Sequence, residues 1–202
     1  MEIKNETKTA TELTTTAASK LSTFCTELNY IKNEKVHSFV EKCLTELVPD
    51  YFFEVPASST GKYHPAYALG SGGLIRHTKA AVRIAKGLFT IMSINETDQD
   101  NIIAALILHD SFKHGKIKST YTIATHPKVA ATEICDFARQ NSCEEVALPI
   151  CELILTHMGQ WNKDYYGNVI LPVPVTSLQH FVHMCDYLAS RKYLEFNFEV
   201  TV

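Results

Sequence analysis

Histidine and aspartate residues recur at or near the ends of segments that read as helices. The residues are His77, His109, Asp110, His126, His157 and Asp186. Imidazole nitrogens and carboxylate oxygens are suitable ligands for Mn²⁺, Fe²⁺, Co²⁺, Ni²⁺ and Zn²⁺, and carboxylates also bind Mg²⁺. These side chains are therefore candidate ligands for a divalent metal ion.

The most informative segment is ALILHD, in which His109 and Asp110 directly follow a run of apolar residues. A His-Asp dipeptide alone carries little weight, because this composition yields about 0.3 such pairs by chance. An unpaired ionised aspartate after a buried run would cost on the order of several kcal/mol, and a metal is its strongest partner. Consecutive residues leave a helix about 100° apart, so both side chains reach one centre only at a helix end or bend. The stretch DSFKHG predicts that bend.

The order of these residues resembles the signature of the HD-domain superfamily of metal-dependent phosphohydrolases. Its histidine, His-Asp pair and distant aspartate correspond to His77, His109, Asp110 and Asp186. The segment GGLIRHTKAA is similar to the first-motif helix of the family, and HDSFKHG is similar to its His-Asp-x-Gly-Lys form. Phe112 stands where the family has glycine, and Lys113 matches the lysine. The resemblance covers about residues 70–190 and implies an all-α, HD-like bundle.

Two more histidines, His126 and His157, match the extra ligands of the two-metal branch, which includes cyclic-nucleotide phosphodiesterases and HD-type exonucleases. The resemblance implies a first metal bound by His77, His109, Asp110 and Asp186. A second metal would share Asp110 and take His126 and His157. The HD-GYP branch is disfavoured, because Met158 follows His157 where that branch has paired histidines, and its GYP motif is missing.

The same resemblance implies a hydrolase, a phosphodiesterase for example, that uses metal-activated water to cleave a phosphoester of a nucleotide or a nucleic-acid end. Asp110 and Lys113 are the expected catalytic residues, and Lys113 is also expected to contact a phosphate oxygen. The positive charge of two divalent ions would exceed the negative charge of Asp110 and Asp186, so the site would be electropositive and attract phosphate. Further candidates for substrate contact are Arg76, Lys79, Lys116, Lys118, Arg191 and the stacking side chain of Trp161.

Two other functions remain open on the sequence. The residue order also resembles the di-iron inositol oxygenase branch of the superfamily, in which dioxygen takes the place of phosphate, although the basic loop after Asp110 favours phosphate. A non-catalytic nucleotide-binding module is the third interpretation, and the complete ligand set disfavours it.

Several histidines also have an ordinary structural explanation. His126 suits the first turn of a helix, because a proline follows it. His157 suits a helix C-terminus, where the helix dipole favours a protonated side chain. His183, one turn before the distant aspartate, is a rival ligand, but an ordinary surface or packing role is the expected one. His114 is a candidate for substrate contact and His64 lies in the long loop, and neither has supporting spacing.

Apolar residues at spacings of three and four predict about six helices and no strand run of any length. Helices are expected after Asn33, from Ser71 or Gly72, from Asp98 or Asp100, over 126–140, over 142–157 and after Thr176. Capping boxes are expected at Ser142 and at Thr176, and a short hairpin around Tyr166. Residues 49–73 contain three prolines and four glycines, and predict a long irregular connection of the kind that often carries function.

Composition limits the class of protein. The 202 residues are 46% apolar with a net charge of −3, which predicts a soluble globular protein and argues against a broad basic surface for nucleic acid. We expect a lead-in over 1–30, mobile or weakly helical, and an HD-like helical domain over 31–202. The N-terminus resembles neither a signal peptide nor a membrane anchor, and six scattered cysteines suggest free thiols, so a cytoplasmic protein is expected. The alternating tail YLEFNFEVTV leaves a monomer or a homodimer open.

Overall fold

The structure, a computed structural model, describes residues 10–194, which contain eight α-helices and no strand beyond one isolated bridge between Lys163 and Val169. The helices are α1 (Ala10–Thr23), α2 (Cys25–Leu28), α3 (Glu34–Lys42), α4 (Gly73–Met92), α5 (Glu96–Leu108), α6 (His126–Gln140), α7 (Glu144–Leu155) and α8 (Ser177–Ala189). The prediction of an all-α bundle of six or more helices is confirmed. Within this part of the chain, no helix combines the length and the apolar character needed to cross a bilayer.

Side-chain caps begin several of the helices at the predicted places. The Asn33 side chain accepts hydrogen bonds from the backbone N–H groups at the start of α3, which continues into a π-helical turn, Cys43–Leu47, before Pro49. Thr176 and Gln179 form the predicted capping box of α8. These caps are local, because donor and acceptor lie within a few residues of each other.

Two predicted helix starts are corrected. Helix α5 begins at Glu96, before Asp98 and Asp100, because the side chain of Asn95 caps it by accepting a hydrogen bond from Asp98 N–H. The capping box expected at Ser142 is wrong: α7 begins at Glu144, and Ser142 adopts a positive φ of 54° in the turn from α6. The α6–α7 turn is too tight to leave Ser142 in the extended conformation that a capping residue needs.

Helix α5 is the centre of the bundle. Its residues 102–108 are all buried, and it contacts α3, α4, α7 and α8. Because other helices pack around this segment, residues 102–108 are apolar on every side of the helix. Its last turn therefore brings the residues that follow, His109 and Asp110, into the interior of the protein.

Part of the expected N-terminal lead-in packs into the hydrophobic core. Phe24 and Leu28, within the expected lead-in, are buried in the same core as the residues after 30.

The turns around Gly167 form a narrow hairpin with one bridge, at the predicted position. The C-terminal tail from residue 195 onward, proposed as an edge strand, lies outside the described residues.

The connection between α3 and α4 is irregular, as predicted, with two short 3-10 turns, Asp50–Phe53 and Ala66–Ala68. It folds back onto the start of α4: Gly72 N–H donates to the Glu54 carbonyl (2.8 Å) and Leu74 N–H donates to the Val55 carbonyl (2.9 Å). Backbone hydrogen bonds therefore hold this long loop against the helix that carries His77.

Replacing Gly73 by alanine tests this packing. A Cβ atom at Gly73 would clash with the Ala68 carbonyl and lie 3.1 Å from Pro56 Cα, both of them backbone atoms. We expect a loss of about 2–3 kcal/mol in the free energy of unfolding, measured by urea denaturation. The matched control is Gly87→Ala in the same helix, where the described chain offers no atom within 4 Å and about 0.5–1 kcal/mol of stabilisation is expected. Equal stability of the two variants would contradict the close approach at Gly73.

Candidate metal centre

All six predicted ligands meet in one place, although five separate elements supply them. His77 lies in the second turn of α4, and Asp186 lies in the second half of α8. His126 is the first residue of α6, and His157 follows the end of α7 by two residues. Helix α5 ends at Leu108, with His109 as its C-cap residue and Asp110 in the turn that follows.

Asp110 presents its two carboxylate oxygens to two different groups of histidines. Oδ2 lies 3.4 Å from His109 Nε2 and 3.9 Å from His77 Nε2. Oδ1 lies 3.0 Å from His126 Nε2 and 3.7 Å from His157 Nε2. One carboxylate therefore faces both sets of imidazole nitrogens, and its side chain is only 2% exposed.

Asp186 completes the first group. Its Oδ1 atom lies 2.9 Å from His77 Nε2 and 3.5 Å from His109 Nε2. Ligand atoms around one ion stand about 3.0–3.4 Å apart when each lies near 2.1 Å from the metal, so these separations suit coordination. Two such groups, one formed by His77, His109 and Asp186 and the other by His109, Asp110 and His157, can hold a metal ion.

Three of the imidazoles are anchored in the same way. In each, Nδ1 lies at hydrogen-bond distance from the backbone carbonyl oxygen three residues earlier, and a carbonyl can only accept, so Nδ1 carries the proton. The bonds run from His109 to Leu106 (2.7 Å), from His126 to Ile123 (2.8 Å) and from His157 to Ile154 (2.7 Å). The opposite nitrogen, Nε2, is directed at the centre, as in histidines that bind metals.

Two of the Nε2 atoms lie close enough together to share a cation. His126 Nε2 and His157 Nε2 lie 3.2 Å apart. In neutral rings both atoms present lone pairs, which repel each other unless a proton or a metal cation lies between them. His109 Nε2 is buried and has no hydrogen-bond partner within the described part of the chain. The donor set and these unsatisfied atoms fit a divalent metal.

The charges in the centre also favour cation binding. Burial alone would raise the pKa of Asp110, but Lys113 and His109 hold it well below its usual range, so the carboxylate is ionised. Burial lowers the pKa of His157 to about 3, with help from His109 and His126, so its ring is neutral. For His109 burial opposes charge, yet Asp110 and Asp186 raise its pKa to about 10. A metal would thus replace a proton that the two carboxylates already attract.

A cavity of about 650 Å³ opens over the centre. Three of the predicted substrate contacts line it: Lys113, Arg191 and Trp161. The Lys113 ammonium is paired with Asp110 Oδ2. The Trp161 ring stacks on Tyr187 at 5.5 Å, and the Arg191 guanidinium lies 4.1 Å from the centre of the Tyr187 ring. The cavity therefore joins the candidate metal ligands and Lys113 at its floor to a flat aromatic wall.

The other predicted substrate contacts are not among the residues that line this cavity. Arg76 donates to backbone carbonyls of the loop that precedes α4 and so fixes that loop. Lys116 pairs with Glu133 at 2.8 Å, and Lys79 pairs with Glu27 at 3.5 Å. Lys118 is exposed on the loop after the centre.

Two other histidines make hydrogen bonds away from the candidate ligands' nitrogen and carboxylate atoms. His183 is occupied elsewhere: its Nδ1 bonds to the His157 carbonyl (2.7 Å) and its Nε2 to the Gln160 side chain (2.9 Å). His114 donates from Nδ1 to the Ser119 carbonyl (2.8 Å) and does not line the cavity.

His64 is the residue that the spacing argument missed. It lines the cavity, and its ring centre lies 4.9 Å from that of His77. Burial, together with electrostatic effects of the neighbouring His77 and Lys113, lowers the pKa of His64 to about 2, so the ring is neutral. The signal that pointed to it was the unusual length of the 49–73 loop.

Comparisons with protein-family models, with curated proteins and with solved structures give no match for this chain. The chemistry of the metal centre and its cavity is therefore the basis for assigning a function.

Proposed function

We propose that the protein is a metal-dependent phosphohydrolase of the HD type, which cleaves a phosphoester of a nucleotide or a nucleic acid. The observation that carries the proposal is the position of Asp110 between two groups of histidine nitrogens, one facing each carboxylate oxygen. A carboxylate shared in this way suits a pair of divalent cations, and paired cations are typical of phosphoester hydrolysis.

The residues divide naturally between two ions. His77, His109, Asp186 and Oδ2 of Asp110 would hold the first, and His126, His157 and Oδ1 of Asp110 the second. Divalent ions there supply a Lewis acid that makes water a nucleophile near neutral pH and that stabilises negative charge on phosphate oxygens. Nitrogen and oxygen ligands without thiolate suit Mn²⁺, Fe²⁺, Co²⁺, Ni²⁺ or Zn²⁺.

The chain itself supplies the contacts that would select and orient a phosphorylated substrate. Lys113 is 8% exposed and lines the cavity beside Asp110, where its ammonium can donate to a phosphate oxygen. Trp161 and Tyr187 offer a flat surface on which a base can stack, with Arg191 beside them. The cavity therefore favours an anionic group at the centre and a planar group at the wall.

The deciding experiment combines metal analysis with a substrate panel. The protein is purified without chelator, its metals are measured by elemental analysis, and product release is assayed with Mn²⁺ on nucleoside monophosphates and triphosphates, cyclic dinucleotides and oligonucleotides. We expect about two metals per chain and turnover of at least one substrate class. Turnover with one metal would remove His126 and His157 from the ligand set.

Other outcomes point to the alternatives that share this residue order. Dioxygen consumption with inositol, without release of phosphate, would indicate an oxygenase. Nucleotide binding without product would indicate a binding module. Either result, or the absence of both metal and turnover, would overturn the proposed hydrolase.

Replacing Lys113 by glutamine tests its role in substrate contact. We expect kcat/KM to fall about 10–100-fold, because a charge-assisted hydrogen bond to phosphate is lost. The metal content should stay unchanged, since Lys113 supplies no ligand atom. Lys116→Gln is the matched control, because Lys116 pairs with Glu133 outside the cavity, and its kinetics should equal those of the wild type. Loss of metal from the Lys113 variant would contradict this assignment.

A further inference from the structure

Two cysteines face each other across the α6–α7 contact, away from the ligands of the metal centre. Cys135 lies in α6 and Cys151 in α7, and their sulfur atoms are 3.0 Å apart. That distance is about 1 Å longer than a disulfide bond. Both are free thiols in the structure.

The two helices pack tightly where the thiols meet. The Cys151 sulfur also lies 3.5 Å from the carbonyl oxygen of Ala131, which precedes Cys135 by one turn on α6. A side chain of α7 thus reaches the backbone of α6, and a small shift is enough to join the sulfurs. A disulfide needs such close approach, with Cα atoms about 4.4–6.8 Å apart.

The two thiols differ in access to solvent. Cys151 is 6% exposed, whereas Cys135 is half-buried. Burial raises the pKa of the Cys151 thiol far above its ordinary value, and the hydrogen bond with Cys135 adds to this effect. A soluble oxidant is therefore expected to react first with Cys135, while the buried Cys151 stays a protonated thiol.

We propose that Cys135 and Cys151 form a redox-active pair that a peroxide converts into a reversible disulfide. In the first step, the Cys135 sulfur attacks a peroxide oxygen, the O–O bond breaks, and a sulfenic acid and water form. In the second step, the Cys151 sulfur attacks the Cys135 sulfur, the S–S bond forms, and the S–O bond breaks. The hydroxide leaves with the Cys151 proton as water. Two thiols and one hydrogen peroxide thus give one disulfide and two waters.

The test uses the full chain, reduced and then treated with hydrogen peroxide. Remaining thiols are alkylated, and the protein is digested without reductant by trypsin and a glutamate-specific protease. The cuts separate residues 134–139, with Cys135, from residues 146–152, with Cys151, and both from Cys143. We expect these two peptides to be linked, with a mass loss of about 2 Da that dithiothreitol reverses. Alkylatable thiols fall from the six of the reduced chain to four.

A second readout is thermal stability. The link closes a loop between residues 16 apart in sequence, and the oxidised protein is expected to melt about 5 °C higher than the reduced protein. The Cys135→Ser and Cys151→Ser variants should each lose both the linked peptide and the shift. Cys25→Ser, at an exposed cysteine, should keep both.

Three results would overturn the pair. The first is a wild-type protein in which all six thiols remain alkylatable after peroxide. The second is Cys135 linked to a cysteine other than Cys151. The third is over-oxidation of Cys135 to sulfinic acid without a linked peptide. The peptide map of the wild type decides the matter even where a serine variant fails to fold.

Discussion

Replacing Asp110 by asparagine is expected to abolish metal binding at both proposed sites and to lower the kcat/KM of the proposed hydrolase by at least about 1,000-fold. The amide has nearly the same shape as the carboxylate, so the side chain still fits its buried position. It lacks the negative charge, however, and one of its two oxygens becomes an NH₂ group that cannot bind a cation. Both groups of histidines face this one side chain, so both ions should be lost together. Elemental analysis and steady-state kinetics measure the two effects.

The control for this variant is Asp100→Asn on α5, the helix that precedes Asp110. Asp100 is also buried, but its oxygens accept the backbone N–H groups of Lys32 and Asn33, both at 2.8 Å. Its role is to fix the loop before α3, so its variant should melt at a lower temperature and still bind the full complement of metal. An Asp110→Asn protein that retains both ions and full turnover would show that the shared carboxylate is not the centre of the site.

Replacing His126 by alanine is expected to remove one ion and keep the other. His126 Nε2 faces Oδ1 of Asp110 and the nitrogen of His157, so the group formed by His77, His109 and Asp186 stays intact. We expect the metal content to fall from about two to about one per chain and kcat to fall about 100-fold, since half of the charge at the reacting phosphate is lost.

The complementary variant is His77→Ala, which should remove the ion on the opposite side and keep the one at His126. His37→Ala serves as a control, because His37 is half-buried on α3 and pairs with Glu41. Two ions lost together in the His126 variant, or two ions retained, would contradict the division of ligands between two sites.

The sequence predicts the helices well, because helix caps and apolar spacing depend on short-range information. The six candidate ligands that it singles out meet in one place in the structure. Asn33 and Thr176 cap helices through partners within three residues. The apolar run before His109 also predicts a buried helix, and the polar pair His109-Asp110 that follows it predicts where that helix ends. The error at Ser142 has a physical reason: the capping pattern is present, but the tight turn from α6 forces a positive φ on the serine.

The substrate contacts were harder to predict, because they depend on the path of a loop. Arg76 carries the right charge one residue before a ligand, yet its guanidinium is directed back to the carbonyls of the 49–73 loop. His64 reaches the cavity only because that same loop folds over the start of α4. Long-range backbone hydrogen bonds determine the positions of both side chains, and the spacing of residues along the sequence does not predict those bonds.

The carbonyl anchors of His109, His126 and His157 affect the affinity and the metal selectivity that the proposed centre would have. Each ring is fixed by its own backbone at a residue three positions earlier, so the rotational freedom of the three side chains is already lost when the chain folds. Ion capture then costs little further entropy, and affinity should be high for any cation of suitable size. Rigid nitrogen ligands follow the general order of divalent affinities. A metal bound at the proposed centre would therefore reflect supply as much as discrimination by the protein.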